Sequence, residues 1–150
     1  MTIINEMRTD FLACPENETF ARMVISAFLL PLNPTLEQLG DVKTSVSEAV
    51  TNAIVHGYKK TGGTVRMKAM LSDTGELTVD VIDNGCGIAD IDKARTPFFT
   101  TEAGDERSGM GFTVMESFMD EVTVCSEIGR GTTVRMRKSI GAPEAVARHA

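Results

Sequence analysis

Four short stretches of this chain combine side chains suited to chemistry. In the first, Ser47-Glu48-Ala49-Val50-Thr51-Asn52-Ala53-Ile54-Val55-His56-Gly57, Glu48 and Asn52 stand four apart, one helical turn, on one face. Apolar Val46, Val50, Ala53 and Ile54 flank them, so the polar pair needs partners. An Asn amide oxygen suits Mg2+, a hard ion that prefers oxygen. A glutamate one turn away suits a base that polarises an attacking hydroxyl. The polar edge of an ordinary amphipathic helix has the same pattern.

The second stretch, Asp83-Asn84-Gly85-Cys86-Gly87-Ile88, follows a strand pattern. A carboxylate at Asp83 accepts a hydrogen bond from an exocyclic amine such as adenine N6. Gly85 and Gly87 permit positive φ and let a flat ring approach the backbone. A plain strand-ending turn uses the same residues. The third stretch, Glu106-Arg107-Ser108-Gly109-Met110-Gly111-Phe112, runs directly into a helical pattern. Glycines at a helix start expose N–H groups at the positive end of the dipole, and Arg107 can fork onto a phosphate. The fourth, Gly129-Arg130-Gly131-Thr132-Thr133, reads as a hairpin turn followed by good strand residues.

Other chemistries are absent. No G-x-x-x-x-G-K-[ST] run occurs, so the chain has no P-loop, and neither HRD nor DFG is present. Gly109-Met110-Gly111 is not a dinucleotide fingerprint, because Val114 stands where the third glycine belongs. Cys14, Cys86 and Cys125 are odd in number and widely spaced. They build neither a disulfide framework nor a zinc site and read as thiols of a reducing cytoplasm. The net charge of −6 argues against a nucleic-acid groove or an anionic membrane as partner. No apolar run approaches the ~20 residues of a membrane span, and the first ten residues lack the order of a signal peptide.

The elements that must position these stretches follow from periodicity. A length of 150 residues with 42% hydrophobic content suits one domain, here residues 1–138, with 139–150 as a frayed tail. Residues 3–13 alternate as an edge strand, with Met7, Thr9, Phe11 and Ala13 on one face. Phe20, Val24 and Phe28 mark a first helix that Pro31 ends. Asn33 caps a second helix with Pro34 in its first turn, and an apolar stripe from Leu36 to Ala53 continues to Gly57. Residues 64–82 form a hairpin, and 121–127 with 132–138 form another. Periodicity is lost between Asn84 and about Ser108 and returns as a helix at Phe112, Met115 and Met119. The segment 95–108 is expected to be mobile without nucleotide. The order of elements predicts a two-layer α/β sandwich, a mixed sheet with helices on one face.

Taken together and in this order, the four motifs resemble the Bergerat-fold ATPases, the superfamily of DNA gyrase, histidine kinases and certain chaperones. The helix Ser45–Tyr58, the loop Pro97-Phe98-Phe99-Thr100-Thr101 and the run from Glu106 to Asp120 are similar to the small serine-kinase anti-sigma factors. The resemblance covers nearly the whole chain. It implies Glu48 as catalytic base and Asn52 as Mg2+ ligand, with Asp83 on adenine and Gly85 and Gly87 along the base. Thr132 would support the adenine pocket, and Arg107, Gly109 and Gly111 would hold the phosphates of ATP under a lid formed by residues 84–111. Cys86 departs from the branched apolar residue common there, a change small enough to be tolerated.

The resemblance further implies a homodimer through the amino-terminal strand and sheet edge. It implies a sigma factor as bound partner and an anti-anti-sigma protein as serine substrate. A general-stress anti-sigma kinase would share this chemistry and differ in partner. A histidine kinase needs a phosphoacceptor helix with its own histidine, whereas His56 lies in the E-x-x-x-N helix and His149 in the tail. On the first helix, Glu18 and Arg22 lie four apart, away from Phe20, Val24 and Phe28. A solvated salt bridge is the plain reading; an arginine offered to an acidic patch on a sigma factor is the alternative.

Overall fold

The computed structural model describes residues 1–59, 61–96 and 111–141. Five strands form one sheet: β1 (Ile3–Leu12), β2 (Thr64–Ser72), β3 (Glu76–Asp83), β4 (Glu121–Glu127) and β5 (Gly131–Ser139). Their order is β1-β2-β3-β5-β4. The two-layer α/β class stands, but all four pairings are antiparallel, so the expected mixed sheet is corrected. The reason is connectivity. β1–β2, β2–β3 and β4–β5 each reverse direction, and β5 returns beside β3 against its sense.

The helices α1 (Glu16–Leu29), α2 (Leu36–Asn52) and α4 (Gly111–Phe118) lie over one face, and α3 (Ile91–Ala94) is a single turn. The core lies between the layers. Ile25, Leu29, Val42, Val46 and Val50 of the helices and Val65, Met67, Leu71, Leu77, Val79 and Met136 of the strands are all 0% exposed. Alternation along β2 sends Val65, Met67, Ala69 and Leu71 inward and leaves Arg66 and Lys68 on the outer face. There, Asp10 takes a two-point bond from Arg66, and Asp80 takes one from Arg135 at 2.7 and 2.8 Å.

Local signals in the helices were shifted. The inward stripe of α1 is Ala21, Ile25 and Leu29, one residue past the expected Phe20, Val24 and Phe28. The slim and aliphatic side chains fill the gap beneath α1, while Phe20 flanks it and meets the ring of Phe11 edge-on at 5.9 Å. Thr35, not Asn33, caps α2. Its hydroxyl accepts the Gln38 N–H, and the Gln38 side chain accepts the Thr35 N–H in return. Asn33 instead ends a 3-10 turn (Leu30–Leu32) in the left-handed region, which places Pro34 outside the helix. Leu36, expected in the apolar stripe, is 88% exposed.

The aperiodic segment contains α3, capped by Asp90, whose carboxylate accepts the Lys93 N–H. Just after it, Arg95 donates to Glu116 of α4 at 2.7 Å and to the Val122 carbonyl of β4 at 3.1 Å. This pins the loop root to two elements. The remainder of the segment expected to be mobile, from residue 97 on, lies outside the described residues, as does the expected tail from 142. The tail's first residues are corrected, since Ser139 ends β5 and Ile140 is buried in the core with its N–H on the Gly75 carbonyl.

Candidate active site

The site forms where the end of α2 meets the start of α4, the end of β3 and the start of β5. α2 holds its inner stripe in the core, which leaves Glu48 and Asn52 half-buried at its edge. Beyond Asn52 the helix widens into a π turn, Ala53–Gly57, closed by the Tyr58 N–H on the Ala53 carbonyl. Gly111, the first residue of α4, packs against both polar side chains. A Cβ there would stand 3.1 Å from the Asn52 amide nitrogen, 3.2 Å from its oxygen and 3.2 Å from a Glu48 carboxylate oxygen. Glu48 and Asn52 share a face as their four-residue spacing predicts, and the fold adds Gly111 beside both. The gap among them is one that a side chain at 111 would fill.

Asp83 ends β3 and is buried, 7% exposed. The β3–β5 register sets it opposite Thr132. Its carboxylate accepts the Gly85 N–H at 2.9 Å. Burial pushes its pKa above 3.8, against the lowering pull of the Gly85 and Thr132 N–H groups. Three glycines make room around it. A Cβ on Gly57 would lie 2.8 Å from the Asp83 carboxyl carbon, one on Gly131 only 2.0 Å from its carbonyl oxygen, and one on Gly85 2.0 Å from the Gly57 carbonyl. A buried carboxylate walled by bare backbone on several sides fits a flat, amine-bearing ring.

Gly85 and Gly87 thus serve different needs. Gly87, at φ +78, uses the conformational freedom expected of it, and a Cβ there would stand 2.3 Å from the Glu127 carbonyl oxygen. Gly85 does not have positive φ; it is glycine because the π turn lies against it.

Thr132 is buried, and its hydroxyl meets that of Ser126 at 2.8 Å. Ser126 also accepts the Ile88 N–H at 2.7 Å, so one hydroxyl joins the 84–88 loop to both strands of the second hairpin. Gly57 and Gly131 stand inside the sequence motifs but were given no part in the site, and Ser126 was not singled out. The signal for Gly57 was its place immediately after the motif helix; that for Gly131 and Ser126 exists only in the register of β3, β5 and β4. Arg107 and Gly109 lie outside the described residues.

Arg22 stands apart from this cluster. Its Nε lies 3.3 Å from Glu18, and its guanidinium donates to Thr19 at 3.3 Å. Glu18 in turn accepts the Ser47 hydroxyl of α2. The salt bridge expected of the i, i+4 spacing is present, and it is tied to the residue preceding Glu48.

With this geometry in place, similarity to known proteins decides the family. The chain is 54% identical over 134 residues to the anti-sigma F factor of Clostridium acetobutylicum, covering 89% of this chain and 93% of that one. It is 52% identical over 141 residues to that of Thermoanaerobacter sp. strain X514, covering 94% and 98%. The chain belongs to the anti-sigma F factor family. Residues 11–138 match the model of the histidine kinase-like ATPase domain. A solved structure of the RsbU and RsbW domains of Rv1364c from Mycobacterium tuberculosis shares the fold. Its TM-score is 0.65 at 17% identity, over 91% of this chain and 32% of that one. For an anti-sigma F factor the antiparallel sheet with helices on one face is thus an ATPase-domain scaffold. Among its described residues no helix is long and apolar enough to cross a membrane.

Proposed function

We propose that this anti-sigma F factor family member is an ATP-dependent protein serine kinase of the cytoplasm. In this reading it binds a sporulation sigma factor and phosphorylates a serine of an anti-anti-sigma protein, inactivating it. The observation that carries the reading is the convergence of Glu48 and Asn52 on Gly111, across the site from the buried Asp83. Asp83 would accept the adenine amine, with Gly85 and Gly87 against the ring and Thr132 supporting the pocket. Gly111, with Arg107 and Gly109, would take the phosphates. Asn52 would supply an amide oxygen to Mg2+.

The donor set suits that ion. Asn52 and Glu48 offer hard oxygen donors side by side against Gly111. A cation here would keep few protein ligands and take the rest from phosphate and water, as Mg2+ does. When bound, it would neutralise phosphate charge. Phosphoryl transfer of this kind depends on positioning and charge neutralisation more than on a strong base. Glu48 then has one task, to orient the acceptor serine hydroxyl and take its proton.

A homodimer through β1 is consistent with that strand lying at one end of the sheet order. The test of the reading is incubation with labelled ATP, Mg2+ and an anti-anti-sigma protein, followed by location of the label. Label on a serine supports it; label on a histidine, or none, refutes it.

Two further results are expected. Asn52→Asp puts a second negative charge beside the phosphates and should lower Mg2+-dependent ATP affinity by about tenfold or more. Titration calorimetry with and without Mg2+ measures this, and unaltered affinity removes Asn52 from the metal site. Arg22→Glu should weaken sigma-factor binding by about tenfold or more while leaving ATP affinity within about twofold, since arginines anchor interfaces. Full sigma affinity in that variant removes Arg22 from the partner surface.

A further inference from the structure

Tyr58 follows the π turn directly, and its side chain reaches across to the other half of the site. Its hydroxyl accepts the Asn84 N–H at 2.7 Å and donates to the Thr64 carbonyl at 2.6 Å. Asn84 lies between Asp83 and Gly85, within the loop that carries the buried carboxylate. Thr64 is the first residue of β2. Gly63 makes the reach feasible: a Cβ there would stand 2.4 Å from the Tyr58 ring. Two further links add to the same joint. The Cys86 N–H donates to the Gly57 carbonyl at 2.8 Å, and the Cys86 thiol meets the His56 carbonyl at 3.2 Å.

The phenol thus occupies one junction between three pieces of chain. One is the end of the helix that bears Glu48 and Asn52, another the loop that bears Asp83 and Gly85, and the third the start of a core strand. A phenol both donates and accepts, so a single hydroxyl satisfies a backbone N–H and a backbone C=O in that place. Phenylalanine would fill the same volume and leave both groups without their partner.

We propose that Tyr58 is a positioning residue for the base end of the nucleotide. It fixes the Asp83–Gly85 loop at a set distance from the end of α2. The inference rests on the ATP-binding reading above and goes beyond it by assigning affinity to a side chain outside the ring-contacting set. A residue with this role acts on how tightly the nucleoside end binds, not on the proton transfer at Glu48.

The full-length Tyr58→Phe protein tests this, with ADP and ATP as probes. Calorimetry is expected to show an ADP Kd raised about tenfold over the unsubstituted protein. The KM for ATP should rise in parallel, with kcat within about twofold and the far-UV dichroism unchanged. Hydrogen exchange supplies an independent reading. In the unsubstituted protein the exposed Asn84 amide should exchange at least about tenfold more slowly than an open amide, and Tyr58→Phe should remove that protection. A folded variant with unchanged ADP Kd overturns the inference, as does loss of kcat without change in KM. An Asn84 amide that exchanges freely in the unsubstituted protein also overturns it, whether or not the variant folds. Failure of the unsubstituted protein itself to bind ADP while its Asn84 amide is protected overturns the ATP-binding reading instead.

Discussion

Glu48→Gln is expected to keep ATP and lose the reaction. The substitution retains the shape that packs against Gly111 and removes the group able to accept a proton from the serine hydroxyl. General-base contributions are about 10²–10⁴-fold, so phosphorylation of the anti-anti-sigma protein should fall by that factor. The ATP Kd should stay within about threefold, because an amide side chain places no new charge beside the nucleotide. Single-turnover transfer with pre-bound labelled ATP separates the two quantities. Unchanged transfer would remove Glu48 from the base role and leave positioning alone to account for rate. A parallel loss of ATP binding would mean that Glu48 holds the nucleotide or its cation.

Asp83→Asn is expected to act at the opposite end of the site. A hydrogen bond to a charged acceptor contributes about 1.5–3 kcal/mol, which makes the loss in ATP affinity roughly 10–150-fold. An amide can also turn its own donor toward the ring, so preference for adenine over guanine nucleotides should shrink. Calorimetry with ATP and GTP checks both outcomes; retained adenine preference would place the base elsewhere.

The same substitution has a consequence for pH. Burial raises the folded-state pKa of Asp83 above 3.8, so in the window above 3.8 the folded protein holds a proton that the unfolded chain has released. Stability drawn from this group is complete below 3.8 and is lost as pH rises through the folded value. The stability of the unsubstituted protein minus that of Asp83→Asn should therefore decline with rising pH across that window. Denaturant titrations of both proteins measure it, and a difference that climbs with pH would contradict the burial of this carboxylate.

How much of this was legible beforehand depends on the range over which each feature is encoded. Glu48 and Asn52 were found because their relation is local: a four-residue step on a helix fixes their common face. β2, β3, β4 and β5 were found because alternation and turn glycines are local too. The stripe of α1 was misplaced by one position because hydrophobicity alone favours Phe20 over Ala21, whereas the space beneath the helix favours the smaller residue. Asn33 and Thr35 are both sound caps by type. The reciprocal bond with Gln38 decided between them, and that requires knowing where the helix begins. Strand direction was misjudged because pairing partners are not written in any one strand. The roles of Gly57, Gly131 and Ser126 were hidden for the same reason. Each becomes part of the site only through a neighbour distant in sequence, as Gly131 does through the carbonyl of Asp83.

The sheet order has a consequence for how the pocket comes into being. β1–β2 packing aside, β2–β3 and β4–β5 are hairpins that can zip locally, whereas the β3–β5 seam joins segments separated by residues 84–130, which include α3, α4 and β4. Seams of that kind, like the β1–β2 pairing across α1 and α2, carry a large loop-closure cost and slow folding. It is this seam that brings Asp83 to Thr132. On the ATP-binding reading a half-zipped chain would lack the cleft for the base, and nucleotide would reward only the finished molecule, raising its resistance to unfolding in proportion to the logarithm of ligand concentration.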